Sequence, residues 1–119
     1  MANQADLIQN FIDNCNAVIY LKDEEGRFLM VNGCAGEMLK VAKEELLGKT
    51  DYDFFSKEDA DKFRANDRKV ANVGTPMNFK ETHTFAGKQI TILDHKFPVS
   101  VEGHPNAVGG IVMDITNME

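Results

Sequence analysis

Cysteine is scarce in this chain of 119 residues, with only Cys15 and Cys34 present. Two cysteines cannot build a disulfide framework, and the absence of any CxxC or CxxCH spacing removes zinc-ribbon and covalent-haem chemistry. Each is read as a small buried hydrophobe. Histidine is nearly as thin: His83, His95 and His104 are the only three, and His83, His95 and Asp94 lack metal-ligand spacing. Basic residues are outnumbered 13 to 19 by acidic ones, which argues against a nucleic-acid partner because phosphate binding relies on clustered Lys and Arg. No apolar run approaches the roughly 20 residues that span a bilayer, so no direct membrane contact is expected. Residues 1–6 lack the basic and apolar regions of a secretion signal, and a cytoplasmic location is the expectation. What remains is a composition of 43% hydrophobic and 27% charged residues, suited to one globular domain with its own core.

Periodicity orders that domain. Leu7, Ile8, Phe11, Ile12 and Cys15 repeat at i, i+3/i+4, predicting an amphipathic N-terminal helix within residues 1–15. Residues 17–22 and 27–32 read as strands joined by a turn at Asp23-Glu24-Glu25-Gly26. Phe28 and Met30 are placed on one face of the second strand and Leu29 and Val31 on the other, an apolar strand needing cover on both sides. Short helical turns follow over 35–39, 42–47 and 51–55. Ser56 then caps a longer helix, with Asp59 at its third position, that runs to about Asn72 and is ended by Gly74 and Pro76. Asp67 falls inside that helix's apolar stripe and must find a partner or a ligand. Residues 77–85 alternate strictly, and the tight turn at Ala86-Gly87 sets His83 opposite Ile90 and Glu81 opposite Ile92. A return strand over 88–99, a loop over 100–106 and a last strand over 107–116 complete an α+β domain with helices on one face of an antiparallel sheet.

Specific residues carry a resemblance. Val18-Ile19-Tyr20-Leu21-Lys22-Asp23 with Gly26-Arg27, then Val31-Asn32, Glu45-Leu46-Leu47-Gly48-Lys49-Thr50-Asp51, Phe63-Arg64-Ala65-Asn66-Asp67, Pro98 and Asp114-Ile115-Thr116 together resemble the PAS family over residues 8–116. The resemblance implies a five-stranded sheet in the order 2-1-5-4-3 with a pocket between sheet and helices, the domain itself occupying 16–116 and a linker to an effector starting at 117–119. It implies a sensory and dimerisation module of a signalling protein such as a two-component sensor histidine kinase, with the effector covalently linked and the ligand unnamed. A flavin-cysteinyl photoadduct is not expected, because the segment before the long helix reads Asp53-Phe54-Phe55-Ser56. Haem held by a histidine of the long helix is not expected either, since no histidine precedes His83.

The candidate ligand-binding residues are Phe28, Met30, Met38, Phe55, Phe63, Asp67, Phe79, His83, Ile92 and Val112. His83 serves either as a core histidine bonded to a neighbouring strand or as a ligand donor. Asp67 either pairs with a Lys or Arg or contacts the ligand. Asp94, Lys96 and Glu81 share the face of His83 and would make it polar. The resemblance places the terminal Asp114 near the first hairpin and gives Thr116 the steering of the chain into its linker, so both are transmission candidates. A homodimer is expected through Leu7, Ile8, Phe11 and Ile12 with Leu29 and Val31. The alternatives are a ligand-free interaction module and a small cone-shaped α+β enzyme using Asp67 or His83 as a base. No nucleophile, metal cluster or second positioned acid accompanies those two residues, so an enzyme is not expected.

Overall fold

The computed structural model describes residues 3–118. Helix α1 (Gln4–Asp13) starts at Asn3, whose side chain accepts the Asp6 N–H. Strands β1 (Val18–Lys22) and β2 (Phe28–Val31) form the first hairpin. Helix α2 (Gly33–Leu39), two 3-10 turns (Lys43–Glu45 and Asp51–Asp53) and the long helix α3 (Lys57–Val73) follow. Strands β3 (Met77–Phe85), β4 (Lys88–Val101) and β5 (His104–Asp114) close the chain. Every strand pair is antiparallel, and the sheet order is β2-β1-β5-β4-β3.

Local chemistry explains most boundaries. Ser56 Oγ accepts the Asp59 N–H, and Gly74 ends α3 at φ 79°, the left-handed cap that glycine adopts without steric cost. Ala86 and Gly87 both have positive φ, the geometry of a two-residue turn matched to strand twist, and the register is His83↔Ile90 and Glu81↔Ile92. Asn32 is fully buried. Its amide donates to the Ile12 and Ala17 carbonyls, while its Oδ1 accepts the Ile19 and Ala35 N–H groups. One side chain thereby ties α1, β1 and α2 together.

The short helical turn expected over 42–47 is a 3-10 turn over Lys43–Glu45. Other expectations are corrected. The β4–β5 hairpin is longer than expected, because the segment expected as a loop pairs down to Val101↔His104 around a turn at Glu102-Gly103. Most consequentially, β2 carries a bulge. The register runs Tyr20↔Val31 and Leu21↔Met30 but then Lys22↔Phe28, so Leu29 is the extra residue and the face phase flips across it. Val31 is therefore buried beside Phe28 in the core, and Met30 points with Leu21 to the other face. Ile12 is likewise 7% exposed: α1 lies back on the domain, with the Gln9 amide reaching the Val31 carbonyl and Asp13 accepting the Gly33 N–H and Lys43. Of the six residues expected to meet a second subunit, Leu7, Ile8, Phe11 and Leu29 are exposed, whereas Ile12 and Val31 are core.

The core lies between the inner face of the sheet and the helices. Helix α2 covers β1, and α3 covers β3, β4 and β5. Gly110 pairs with Tyr20, and a Cβ there would stand 2.1 Å from the tyrosine ring. The glycine thus opens the space in which that ring lies across β5.

Candidate functional site

A cavity of about 60 Å³ sits between sheet and helices. On the scale where one water needs some 10–15 Å³, it holds about four waters or a ligand of similar bulk. Of the ligand-binding candidates, Phe28, Met38, Phe55, Phe63, Ile92 and Val112 line it. The aromatic rings meet edge to face, with Phe55 5.0 Å from Phe63 and 5.3 Å from Phe85, an arrangement favoured by their quadrupoles.

The other wall is charged. Val18, Tyr20 and Lys22 of β1 alternate inward, as do Asp94 and Lys96 of β4, and all but Val18 bring polar atoms into the core. Lys22 Nζ donates to Asp51 Oδ2 at 2.7 Å and to Asp67 Oδ2 at 2.9 Å. Lys96 Nζ donates to Asp67 Oδ1 and the Tyr20 hydroxyl, each at 2.7 Å, and lies 3.1 Å from Asp94 Oδ2. Tyr20 in turn donates to Asp94 Oδ1. Burial by itself would lower both lysines, yet the charges of Asp51 and Asp67 on Lys22, and of Asp67 and Asp94 on Lys96, raise them well above the ordinary lysine value. Burial pushes the Asp67 carboxyl up, and the two ammoniums more than offset it, leaving Asp67 below its ordinary value. Burial and the Asp94 charge hold the Tyr20 hydroxyl well above its usual range. Lys22 Nζ also stands 4.9 Å from the Tyr20 ring centre and 5.4 Å from that of Phe28, within cation–π reach.

Four sequence candidates stand off the cavity wall. Met30 is turned away by the β2 bulge. Asp67 lies behind the lysines, its two oxygens taken one by each. Phe79, opposite Asp94 on the edge strand, is half-buried away from the wall, to which β3 contributes its other end at Phe85. His83 turns toward α3: its ring centre is 4.3 Å from that of Phe63, Nε2 meets Glu81 Oε1 at 2.7 Å, and Nδ1 is 2.9 Å from Asp59 Oδ1. Glu81 also accepts from Asn66, so His83 and Glu81 clamp α3 onto β3. Burial pushes the Glu81 carboxyl up, but the His83 and Asn66 hydrogen bonds bring it below its ordinary value.

Tyr20, Lys22 and Asp51 are wall residues that sequence reasoning missed. The signal for Lys22 was present: it continues the inward alternation of Val18 and Tyr20, and Asp67 required a cation. The cysteines are both free and half-buried, and burial with the Glu37 charge pushes the Cys34 thiol up. At the exit, Asp114 does not reach the first hairpin. Its Oδ1 accepts the Thr116 N–H and hydroxyl, Thr116 Oγ1 accepts the Thr91 N–H, and the Ile115 N–H donates to the Thr91 carbonyl. The reason is that β1 starts at Val18, opposite Val112, so only β4 remains beside Asp114. Residues 116 and 117 form a turn, and Glu119 lies outside the described residues.

A family model described as the PAS fold matches residues 12–119. The chain belongs to the PAS family. This PAS domain is 28% identical over 112 residues to the methanogenesis regulatory histidine kinase FilI of Methanothrix harundinacea, covering 93% of the chain but 13% of that kinase. It therefore spans only a small part of that curated relative. Among solved structures, it superposes on the Vibrio cholerae VqmA–ligand–DNA complex with a TM-score of 0.83 at 20% identity, covering 98% of this chain and 53% of that one. The PAS domain of Bordetella pertussis BvgS matches with a TM-score of 0.65 at 22% identity, covering 98% and 88%. These likenesses show the fold. No helix among the described residues is long and apolar enough to cross a membrane.

Proposed function

We propose that this PAS domain is a sensory and dimerisation module of a longer signalling protein, binding a small ligand in its internal cavity and passing occupancy to a linked effector through β5. The observation that carries this reading is that Val112 of β5 lines the cavity two residues before Asp114, where the chain leaves the sheet. A ligand pressing on Val112 acts on the strand whose end is pinned to β4 by Thr116. Occupancy then biases two arrangements of that end by the ligand's differential affinity for them. The similarity to FilI supports a histidine kinase as the effector, and the proposed setting is the cytosol. The exposed Leu7, Ile8 and Phe11 of α1, with Leu29, supply the apolar surface for a homodimer.

Native mass spectrometry of freshly purified protein, with a visible spectrum, tests the sensory reading. A bound small mass is the expected result, and a bare polypeptide that also gains no mass against a metabolite extract counts against it. A second reading has its own support: the buried charges largely satisfy one another, and the cavity is far smaller than the several hundred Å³ of common ligand sites. On that reading the domain is a packed interaction module, and the bare spectrum is its signature.

A further inference from the structure

The buried charged cluster that forms and backs the cavity wall is not neutral. Lys22 and Lys96 supply two ammoniums, and Asp51, Asp67 and Asp94 supply three carboxylates, all of them buried. Lys96 donates to Asp67 and Tyr20 and forms an ion pair with Asp94. Both oxygens of Asp67 are taken by lysines, and both of Asp94 by Tyr20 and Lys96. Asp51 differs. Its Oδ2 accepts from Lys22, but no hydrogen bond falls on Oδ1 among the described residues, although the side chain is only 9% exposed and the residue lines the cavity. An excess of buried negative charge is costly, and Asp51 Oδ1 is an accessible acceptor left open to a donor. An anionic ligand would add a fourth negative charge to the three. A cation with an N–H supplies both the missing charge and the missing donor, while Phe28, Phe55 and Phe63 enclose its apolar part.

Resting on the reading of the cavity as a ligand site, we propose that it selects a small alkylammonium-type amine that donates to Asp51 Oδ1. The size follows from the volume, a handful of heavy atoms, and the selectivity from the charge count.

Methyl NMR of the intact domain tests this with three probes of matched bulk: isobutylammonium, isobutanol and isobutyrate. Isobutylammonium should shift the Ile92 and Val112 methyls and saturate at a concentration at least about tenfold below isobutanol, the scale of one charge-assisted hydrogen bond. Isobutyrate should bind more weakly than either. In Asp51→Asn the amine should lose about ten- to a hundredfold in affinity, with isobutanol unchanged. The inference is overturned if isobutyrate or isobutanol binds wild type as tightly as the amine, in which case the cavity still stands as a ligand site. It is also overturned if folded Asp51→Asn keeps its amine affinity. Shifts from none of the three would overturn the ligand-site reading and this inference together. Should Asp51→Asn lose its methyl dispersion, the ranking of the three probes on wild type decides alone.

Discussion

At the residue scale, Asp67 carries the most consequence. It neutralises part of two buried ammoniums from two strands, so its removal leaves uncompensated charge in the core. Asp67→Ala should cost about 3–5 kcal/mol of unfolding free energy in a urea titration, and a cost under about 1 kcal/mol would contradict the pairing. The same geometry sets a pH dependence. Because the folded Asp67 carboxyl lies below its ordinary value of about 3.9, its stabilisation is complete above that pH and is lost as pH falls through the lower folded value. Because Lys22 and Lys96 are raised, their stabilisation is complete below about 10.4 and is lost only as pH climbs beyond it. Stability should therefore hold level through neutrality and fall at both extremes. Asp67→Asn should show a shallower acid limb than wild type, though not a flat one, since Glu81 and Asp114 are also held below their ordinary values.

At the element scale, β5 is built to receive a ring from β1. Gly110→Ala would drive a methyl into Tyr20 at 2.1 Å, and the hydroxyl of that ring bonds both Asp94 and Lys96. The substitution should cost about 1–3 kcal/mol as an overpacking defect. The cost should shrink in a Tyr20→Ala background, a coupling that a double-mutant cycle reads directly. Equal costs in both backgrounds would remove the ring as the cause. The element also shows why Asp114 and Thr116 act together: one hydrogen-bonds the other, which in turn holds β4, so the exit is pinned by a chain of local bonds.

At the scale of the whole molecule, α1 carries a patch of open apolar surface. Leu7 is 60% and Phe11 80% exposed, while the same helix is docked by Gln9, Ile12 and Asp13. On the proposed homodimer, Leu7→Glu with Phe11→Glu should therefore leave thermal stability nearly unchanged and shift sedimentation velocity from dimer to monomer. A sedimentation coefficient unaffected by the pair would remove α1 from any dimer interface.

Chain-local rules were legible in the sequence. The element order, the Ser56 cap, the Ala86-Gly87 turn and the His83↔Ile90 register follow from nearest-neighbour chemistry and the period of two. So does the inward phase of Asp94 and Lys96, because the turn fixes the register. Tertiary structure decided the rest. Lys22 finds Asp51 and Asp67 across 29 and 45 residues, a pairing that no local pattern encodes. The single extra residue at Leu29 exchanges the faces of Met30 and Val31, and only the partner strand reveals a bulge. Helix α1 buries Ile12 because Asn32 and Asp13 dock it, so one amphipathic face is divided between core and surface. The sequence determined which residues alternate together; the packing of distant elements determined which charges they meet and what space is left between them.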